Sequence, residues 1–353
     1  MVEWKKLGEV CKLERGVRVV KKNLKEEGLI PVYQNSLTPL GYYDKSNYPE
    51  HTCFVICAGA AGEVGFSNKA FWAADDCTCV VCPPLIHSTF IYYYLMENQH
   101  LLKTQVRKAS VPRLSKDVIG KLLLPIPSLS EQSRIVSILD TFTSSISNLK
   151  QQIEERRKQY EYERDLLLDL EGKEGVEMKK LGEVCKLERG VRVVKKDLQK
   201  EGVLPVYQNS LTPLGYYDKS NYPENTTFVI CAGAAGEVGF SNKAFWAADD
   251  CTCVVCPSFV HSKYIYNYLI SNQRILRSQV RKASIPRLSK DVIGKLIVPL
   301  PPLSTQSRIV SILDTFEQSI SNLEEQLAMR EKQYEYYRNL LLTFEGEEER
   351  GKT

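Results

Sequence analysis

From residue 128 onward the apolar positions of the chain recur at alternating intervals of four and three. They fall at Ile135, Leu139, Phe142, Ile146, Leu149, Ile153, Tyr160 and Leu167, with Arg156 and Glu163 taking two of the steps. This heptad seam predicts one long helix over about 130–171. The same period returns at Ile309, Leu313, Phe316, Ile320, Leu323, Leu327, Tyr334 and Leu341. A helix of ~40 residues rising ~1.5 Å per residue is ~60 Å long, enough to act as a spacer. One seam needs a partner, and the chain supplies a second. Parallel pairing would satisfy both seams, but the globular segment between them would have to span the helix length. Antiparallel pairing is therefore expected.

Ahead of each long helix the pattern changes to short strands and turns. Phe54-Val55-Ile56-Cys57 and Cys77 to Cys82 have strand character, while Asn35-Ser36, Pro39-Leu40-Gly41 and Gly59 to Gly65 carry turn chemistry. Residues 88–104, with Ile91, Leu95, Gln99 and Leu102 at helical spacing, predict one amphipathic helix. Leu122 to Pro127 reads as a short buried strand leading into a rigid exit, because proline continues neither a ladder nor a helix interior. The expected organisation is two mostly-β domains, 1–127 and 173–301, two helical spacers, 128–172 and 302–345, and a charged tail, 346–353. The fold class is α+β, with the two long helices forming an intramolecular antiparallel coiled coil of pseudo-twofold symmetry.

The two halves are copies. A shift of 174 positions carries LGEVCKLERGVRVVKK at Leu7 onto Leu181, PVYQNSLTPLGYYDKSNYPE at Pro31 onto Pro205, and much of the rest without a gap. Two near-identical surfaces on one chain fit a partner that is itself twofold, and duplex DNA is such a partner.

Length and charge agree with this. At 353 residues and 43% apolar content, about two globular units are expected. Neither a signal-peptide pattern nor an apolar run of membrane-spanning length occurs, so a cytoplasmic protein is expected. The eleven cysteines are an odd number, since Cys53 faces Thr227 across the repeat, and read as reduced thiols. The net charge of +4 says little, but its distribution says more. Eight cations against two acids lie between Lys5 and Lys25, and six against one between Lys103 and Lys121. Such local basic segments suit phosphate contacts, although a merely solvated face has the same signature.

Catalytic patterns are scarce. Cys77, Cys79 and Cys82, with Cys57 nearby, suggest zinc, but on a strand Cys77 and Cys79 share a face that Cys82 does not, so no metal site is expected. Gly59-x-x-Gly62-x-x-Gly65 follows a strand but opens no helix, which leaves a tight turn and not a nucleotide loop. Only His87 among the histidines is repeated, at His261. Asp75-Asp76 and Asp249-Asp250 could hold a cation but lack the further acids and lysine of a nuclease. Cys82-Pro83-Pro84 lacks the residues that amino-methyltransferases place around their proline pair. The chain reads as a recogniser, with no catalytic residues and no cofactor of its own.

The order of parts resembles the specificity subunit of type I restriction-modification systems. The resemblance spans the chain and is carried by IPSLSEQSRIVSILD at Ile126 to Asp140 and LPPLSTQSRIVSILD at Leu300 to Asp314. The opening WKKLGEVCKLERG, the IPVYQNS turn and ASVPRLSKDVIGKL at Ala109 to Leu122 also match. It implies two target-recognition domains that bind the halves of a bipartite DNA target, with helices setting the interval between them. It also implies two adenine methyltransferase subunits as partners, and restriction subunits where the system has them. S-adenosylmethionine, ATP and magnesium would be bound by those partners, and the target adenine would be flipped out of the duplex. Typical members carry two different recognition domains; this chain carries nearly the same one twice, so a palindromic target is expected. A stand-alone DNA-binding regulator and a specificity subunit of a related type II system are the alternatives. A thiol or zinc enzyme built on the cysteines is a third.

For base contacts the candidates are Gln34, Asn35 and Ser36, since Gln and Asn pair with adenine edges, and Arg107 and Arg113, which pair with guanine. For phosphate they are Arg15, Arg18, Lys21, Lys22 and Lys108. The copies are Gln208, Asn209, Ser210, Arg281 and Arg287, and Arg189, Arg192, Lys195, Lys196 and Lys282. Differences such as Glu26 against Lys200, Tyr93 against Asn267 and His100 against Arg274 are expected to alter specificity little.

Overall fold

The computed structural model describes residues 2–344, the side chain of Lys195 excepted; the tail at 346–353 lies outside the described residues. The chain groups into two units. The first joins residues 1–149 to 326–353, and the second is residues 150–325. Each unit therefore holds one globular part, the first half of that part's own long helix, and the second half of the other repeat's helix. The long helices run Leu129–Leu168 and Leu303–Leu342.

In the first unit a four-stranded antiparallel sheet has the order Lys12–Arg15, Cys77–Val81, Thr52–Ile56, Val64–Ser67. A three-stranded sheet places Ile30–Tyr33 between Gly41–Tyr43, antiparallel, and Trp72–Ala73, parallel. Glu3–Lys6 pairs antiparallel with Leu123–Ile126, so the exit strand before the long helix is tied to the start of the chain. The second unit repeats this order strand for strand.

Thr52–Ile56 is buried on both faces, and its side chains divide by the strand's period of two. Cys53 and Val55 join Val64, Val80, Phe90, Ile91 and Leu95 in the main core. Phe54 and Ile56 face the other way, into a smaller core with Tyr48, Phe71, Cys77 and Cys79. Cys77 and Cys79 thus share a face, as the strand period requires. Cys82 packs against the main core instead, with its Sγ 3.7 Å from that of Cys11. All eleven cysteines are free thiols.

The single helix expected over 88–104 is two, Ser88–Glu97 and Gln99–Thr104. Asn98, at φ −91° and ψ 15°, breaks it, and its side chain donates to the Tyr94 carbonyl at 3.1 Å. Asparagine competes for backbone hydrogen bonds in this way and stops the ladder. The glycine turn is tight as expected. Gly59 has φ +83°, and a Cβ there would sit 2.7 Å from the Asn35 carbonyl oxygen.

Within each unit the two half-helices run antiparallel. In the first, Phe142 meets Tyr334 and Tyr337 at centroid separations of 6.4 and 5.3 Å, and Arg330 caps the Phe142 ring at 5.7 Å. In the second, Tyr160 meets Phe316 at 6.4 Å and Arg156 caps that ring at 5.9 Å. The arginine interrupting the seam in each repeat, Arg156 and its copy Arg330, thus lies over an aromatic ring of the other helix. The seam positions from Ile135 to Leu167 and from Ile309 to Leu341 are buried or half-buried except Tyr337, the step after Tyr334, which is 41% exposed, and the helix ends depart from a strict heptad. Val136 and Val310 are buried beside Ile135 and Ile309, and at the far ends Leu168 and Leu342 are more deeply buried than Leu167 and Leu341. There the helix packs on a globular core as well as on the other helix, which widens its apolar face: Ile135, Val136 and Leu342 belong to the main core of the first unit.

One polar side chain seats each long helix. Gln132, 1% exposed, donates to the Pro127 carbonyl at 2.9 Å and the Leu85 carbonyl at 3.3 Å, while its Oε1 accepts from the His87 N–H at 2.8 Å. Gln306 makes the same three bonds to Pro301, Phe259 and His261. The buried glutamine thus joins the helix start to the loop preceding Ser88–Glu97.

Candidate nucleic-acid interface

The end of the strand Lys12–Arg15, the loop after Ile56 and the hairpin-like segment 107–113 converge on a cleft of about 430 Å³. Arg15, Arg107, Arg113 and Lys116 line it together with Asp76, Thr78 and Cys57. Arg107 and Arg113 face each other across a bridge, with Arg107 N–H donating to the Arg113 carbonyl at 2.9 Å and the return bond at 3.2 Å. Both guanidinium groups are thereby anchored at their backbones and left exposed at their tips. Arg15 is held from the other wall, its Nε donating to the Asp75 carbonyl at 2.6 Å. Gly16 makes that approach possible, since a Cβ there would come within 2.2 Å of the Ala74 carbonyl oxygen.

The acids that the sequence offers only as a possible cation pair, Asp75 and Asp76, stand here beside the arginines. Asp76 lines the cleft, and its carboxylate accepts a 3.3 Å bond from Gln34 Nε2. Asp75 Oδ1 is a buried oxygen with no hydrogen-bond partner among the described residues. Burial pushes the Cys57 thiol above its ordinary range, so it lines the wall as a neutral group. Lys116, a residue not anticipated, sits in the first turn of the short helix Lys116–Lys121, which Ser115 caps by accepting from Val118 N–H. The signal for Asp76 and Lys116 lay in the repeat, because each returns unchanged at Asp250 and Lys290.

The second repeat builds the same cleft, of about 460 Å³, from Arg189, Arg281, Arg287, Lys290, Asp249 and Asp250. Arg189 Nε donates to the Asp249 carbonyl at 2.6 Å and Gln208 Nε2 to Asp250 at 3.3 Å.

The remaining candidates are more scattered. Asn35 and Asn209 are exposed at their side chains and accept from Ala60 and Ala234 N–H through their carbonyls. The Ser36 and Ser210 hydroxyls are engaged locally, donating to the Thr38 and Thr212 carbonyls at 3.0 Å. Lys21 lines a separate concavity with Lys25, Pro39 and Tyr42. Arg18, Lys22 and Lys108, and Arg192, Lys196 and Lys282, are exposed and line neither arginine cleft. The structure thus draws Arg15, Arg107 and Arg113 together, brings Gln34 to them through Asp76, and leaves the others on the surrounding surface.

The family model described as the type I restriction modification DNA specificity domain matches residues 1–156 and again residues 173–329. The chain belongs to that family. It is 30% identical to a putative type I restriction enzyme specificity subunit of Haemophilus influenzae, with 97% of this chain and 96% of that one covered. It is 29% identical to the EcoR124I/EcoR124II specificity subunit of Escherichia coli, over 97% and 94% of the two chains. Its fold is similar to the crystal structure of the type I restriction-modification S subunit from M. genitalium, with a TM-score of 0.77, 19% identity and 97% of each chain covered. A chain from a type I assembly study matches with a TM-score of 0.59 at 17% identity, covering 97% and 96%. Each family match within the chain contains one arginine cleft whole. No helix among the described residues is long and apolar enough to cross a membrane.

Proposed function

We propose that this specificity subunit reads a palindromic bipartite DNA target, one half-site per arginine cleft, and performs no chemistry itself. The observation that carries this reading is the duplication of the cleft. Arginines, lysine and aspartates recur with the same anchoring bonds in both repeats. Two equal readers on one chain call for two equal half-sites in inverted orientation.

The carboxylates argue for base edges at the cleft floor. A pocket built only to hold phosphate gains nothing from Asp76, which would repel it. In the major groove a carboxylate accepts from the amino group of cytosine, and arginine donates to guanine N7 and O6. Arg107 or Arg113 beside Asp76 therefore suits a G·C pair. Lys21, Lys22, Arg18 and Lys108, with their copies, would hold phosphate and fix register without reading sequence.

In this reading the long helices set the unread interval between half-sites. Two methyltransferase subunits assemble on the chain, with restriction subunits where the system has them. S-adenosylmethionine, ATP and magnesium belong to those partners. Mapping methylated adenines in DNA modified by this subunit with its methyltransferase tests the proposal. An inverted repeat with one methylated adenine per half supports it; two unrelated half-motifs overturn it.

A further inference from the structure

The readers are nearly the same, yet the helices that carry them differ in charge at corresponding positions. Heptad-spaced positions 150 and 157 are Lys and Arg in the first repeat; their counterparts, Glu324 and Glu331, are both acids. In the second unit Arg157 pairs with Glu324 at 2.5 Å. Glu324 is the counterpart of Lys150, so position 157 of one helix faces position 150 of the other. If two first-repeat helices paired in this register, Arg157 would meet Lys150, twice over by symmetry. If two second-repeat helices did so, Glu331 would meet Glu324, again twice.

A second relationship shows the same division. In the first unit Glu97 pairs with Arg338, and Asn339, with its amide turned, donates to Glu97 at 3.0 Å. In the second unit the acid has changed sides. Ser271, the counterpart of Glu97, donates to Asp165, the counterpart of Asn339, at 2.7 Å. Pairing of the first repeat with itself would set Glu97 beside Asp165 where Asn339 now stands, adding an acid to a site whose arginine, Arg338, is matched by Arg164, already paired with Asp165. The apolar seam offers no such discrimination, because Phe142 on Tyr334 and Phe316 on Tyr160 are the same contact.

We infer that these charges are a pairing code: the helical face of the first repeat accepts that of the second repeat and rejects a copy of itself. An exposed ion pair contributes little stability alone, but exchanging attraction for repulsion at symmetric sites changes which partner is chosen. Duplication of a reader creates the hazard that like repeats of different chains associate through a common seam. The code blocks that route, so the two halves are not interchangeable although their clefts are.

A protease site between Gly172 and Gly175, where a Cβ would meet nothing within 4 Å, allows the test. The purified full chain is cut there, dissociated in denaturant and returned to buffer, and the pairs are weighed by native mass spectrometry. Pairs of unlike halves should exceed like pairs at least tenfold. Lys150→Glu with Glu331→Lys keeps attraction between unlike halves and creates it between like ones, so like pairs should rise, the second-repeat pair furthest because the Glu97 and Asp165 contact is untouched, toward about half of the total, the share expected with no charge code at all. Like pairs at that share in the unaltered chain, or no rise in the variant, overturn the inference. In the uncut chain Arg157→Glu should lower the melting temperature and Arg157→Glu with Glu324→Arg should restore it. A double variant as unstable as the single one overturns the inference independently of the cut chain.

Discussion

The ring of Phe142 lies against that of Tyr334, their centroids 6.4 Å apart. A shift of 174 residues converts this pair into Phe316 and Tyr160, again at 6.4 Å but with the repeats exchanged. Each unit is thus completed by helix from the other repeat, and neither globular part is seated only on its own sequence. Arg330 and Arg156 cover the outer faces of the two phenylalanines. The relationship ties the stability of a reader to residues far from it in the chain.

Arg113→Ala or Arg287→Ala, each in one cleft, should reduce affinity for the specific target by about 10- to 100-fold and relax discrimination at one position of the corresponding half-site. Lys22→Ala should weaken binding to all sequences alike and lower the salt dependence by about one phosphate contact. Titration of the assembled subunit and methyltransferase against specific and scrambled DNA over a range of salt separates the two classes.

Asp76→Asn tests the base-edge reading. The amide keeps the size of the side chain and adds donors, so preference at one position of the half-site should move away from a base presenting an amino group. Unchanged preference with unchanged affinity would remove Asp76 from the reading surface.

Gln132→Ala deletes the partner of the His87 N–H and two carbonyls in a site only 1% exposed at the glutamine. Leaving buried backbone groups unpaired costs about 1–3 kcal/mol each, less what water recovers. Denaturant unfolding should show a loss of at least about 2 kcal/mol. Gln306→Ala should match it in the second repeat.

Asn267 is 0% exposed and neither amide atom has a partner among the described residues. Its counterpart Tyr93 donates to Asp140 at 2.6 Å, whereas in the second repeat Lys263 takes the corresponding Asp314 at 2.6 Å. Asparagine is thus left in a site that accommodates tyrosine in the other repeat. Asn267→Leu removes the unpaired groups without overfilling, and should stabilise the chain by about 1–3 kcal/mol, read as a raised melting temperature.

Burial, aided by Lys263 and opposed by Asp314, holds the His261 imidazole below its ordinary value. The unfolded chain therefore binds this proton more readily than the folded one, and stability falls as pH drops below about 6.5. The melting temperature of the unaltered chain should fall more between about pH 7.5 and 5.5 than that of His261→Gln. An equal fall in both would remove His261 from the acid response.

Periodicity and self-similarity settled much of this protein. The seam from Ile135 to Leu341, the strands around Val55 and Val80, the shared face of Cys77 and Cys79 and the duplication are local or repeating, and each is legible because spacing alone determines which side chains share a face. The break at Asn98 escaped, since apolar spacing continues across it while a side-chain bond to Tyr94 ends the helix. The candidate site was legible in its arginines, while its acids were legible only as a possible cation pair and not as neighbours of those arginines. Arg107 and Arg113 lie in a basic run, whereas Asp76 reaches them only because the strand at Cys77–Val81 runs beside Lys12–Arg15. Which charge faces which was also left to the tertiary structure. The sequence alone determined that two like readers and two seams exist, because repetition needs no coordinates; the fold alone decided that Arg157 meets Glu324 and that Asp76 meets Gln34, because those pairings depend on register and packing between distant segments.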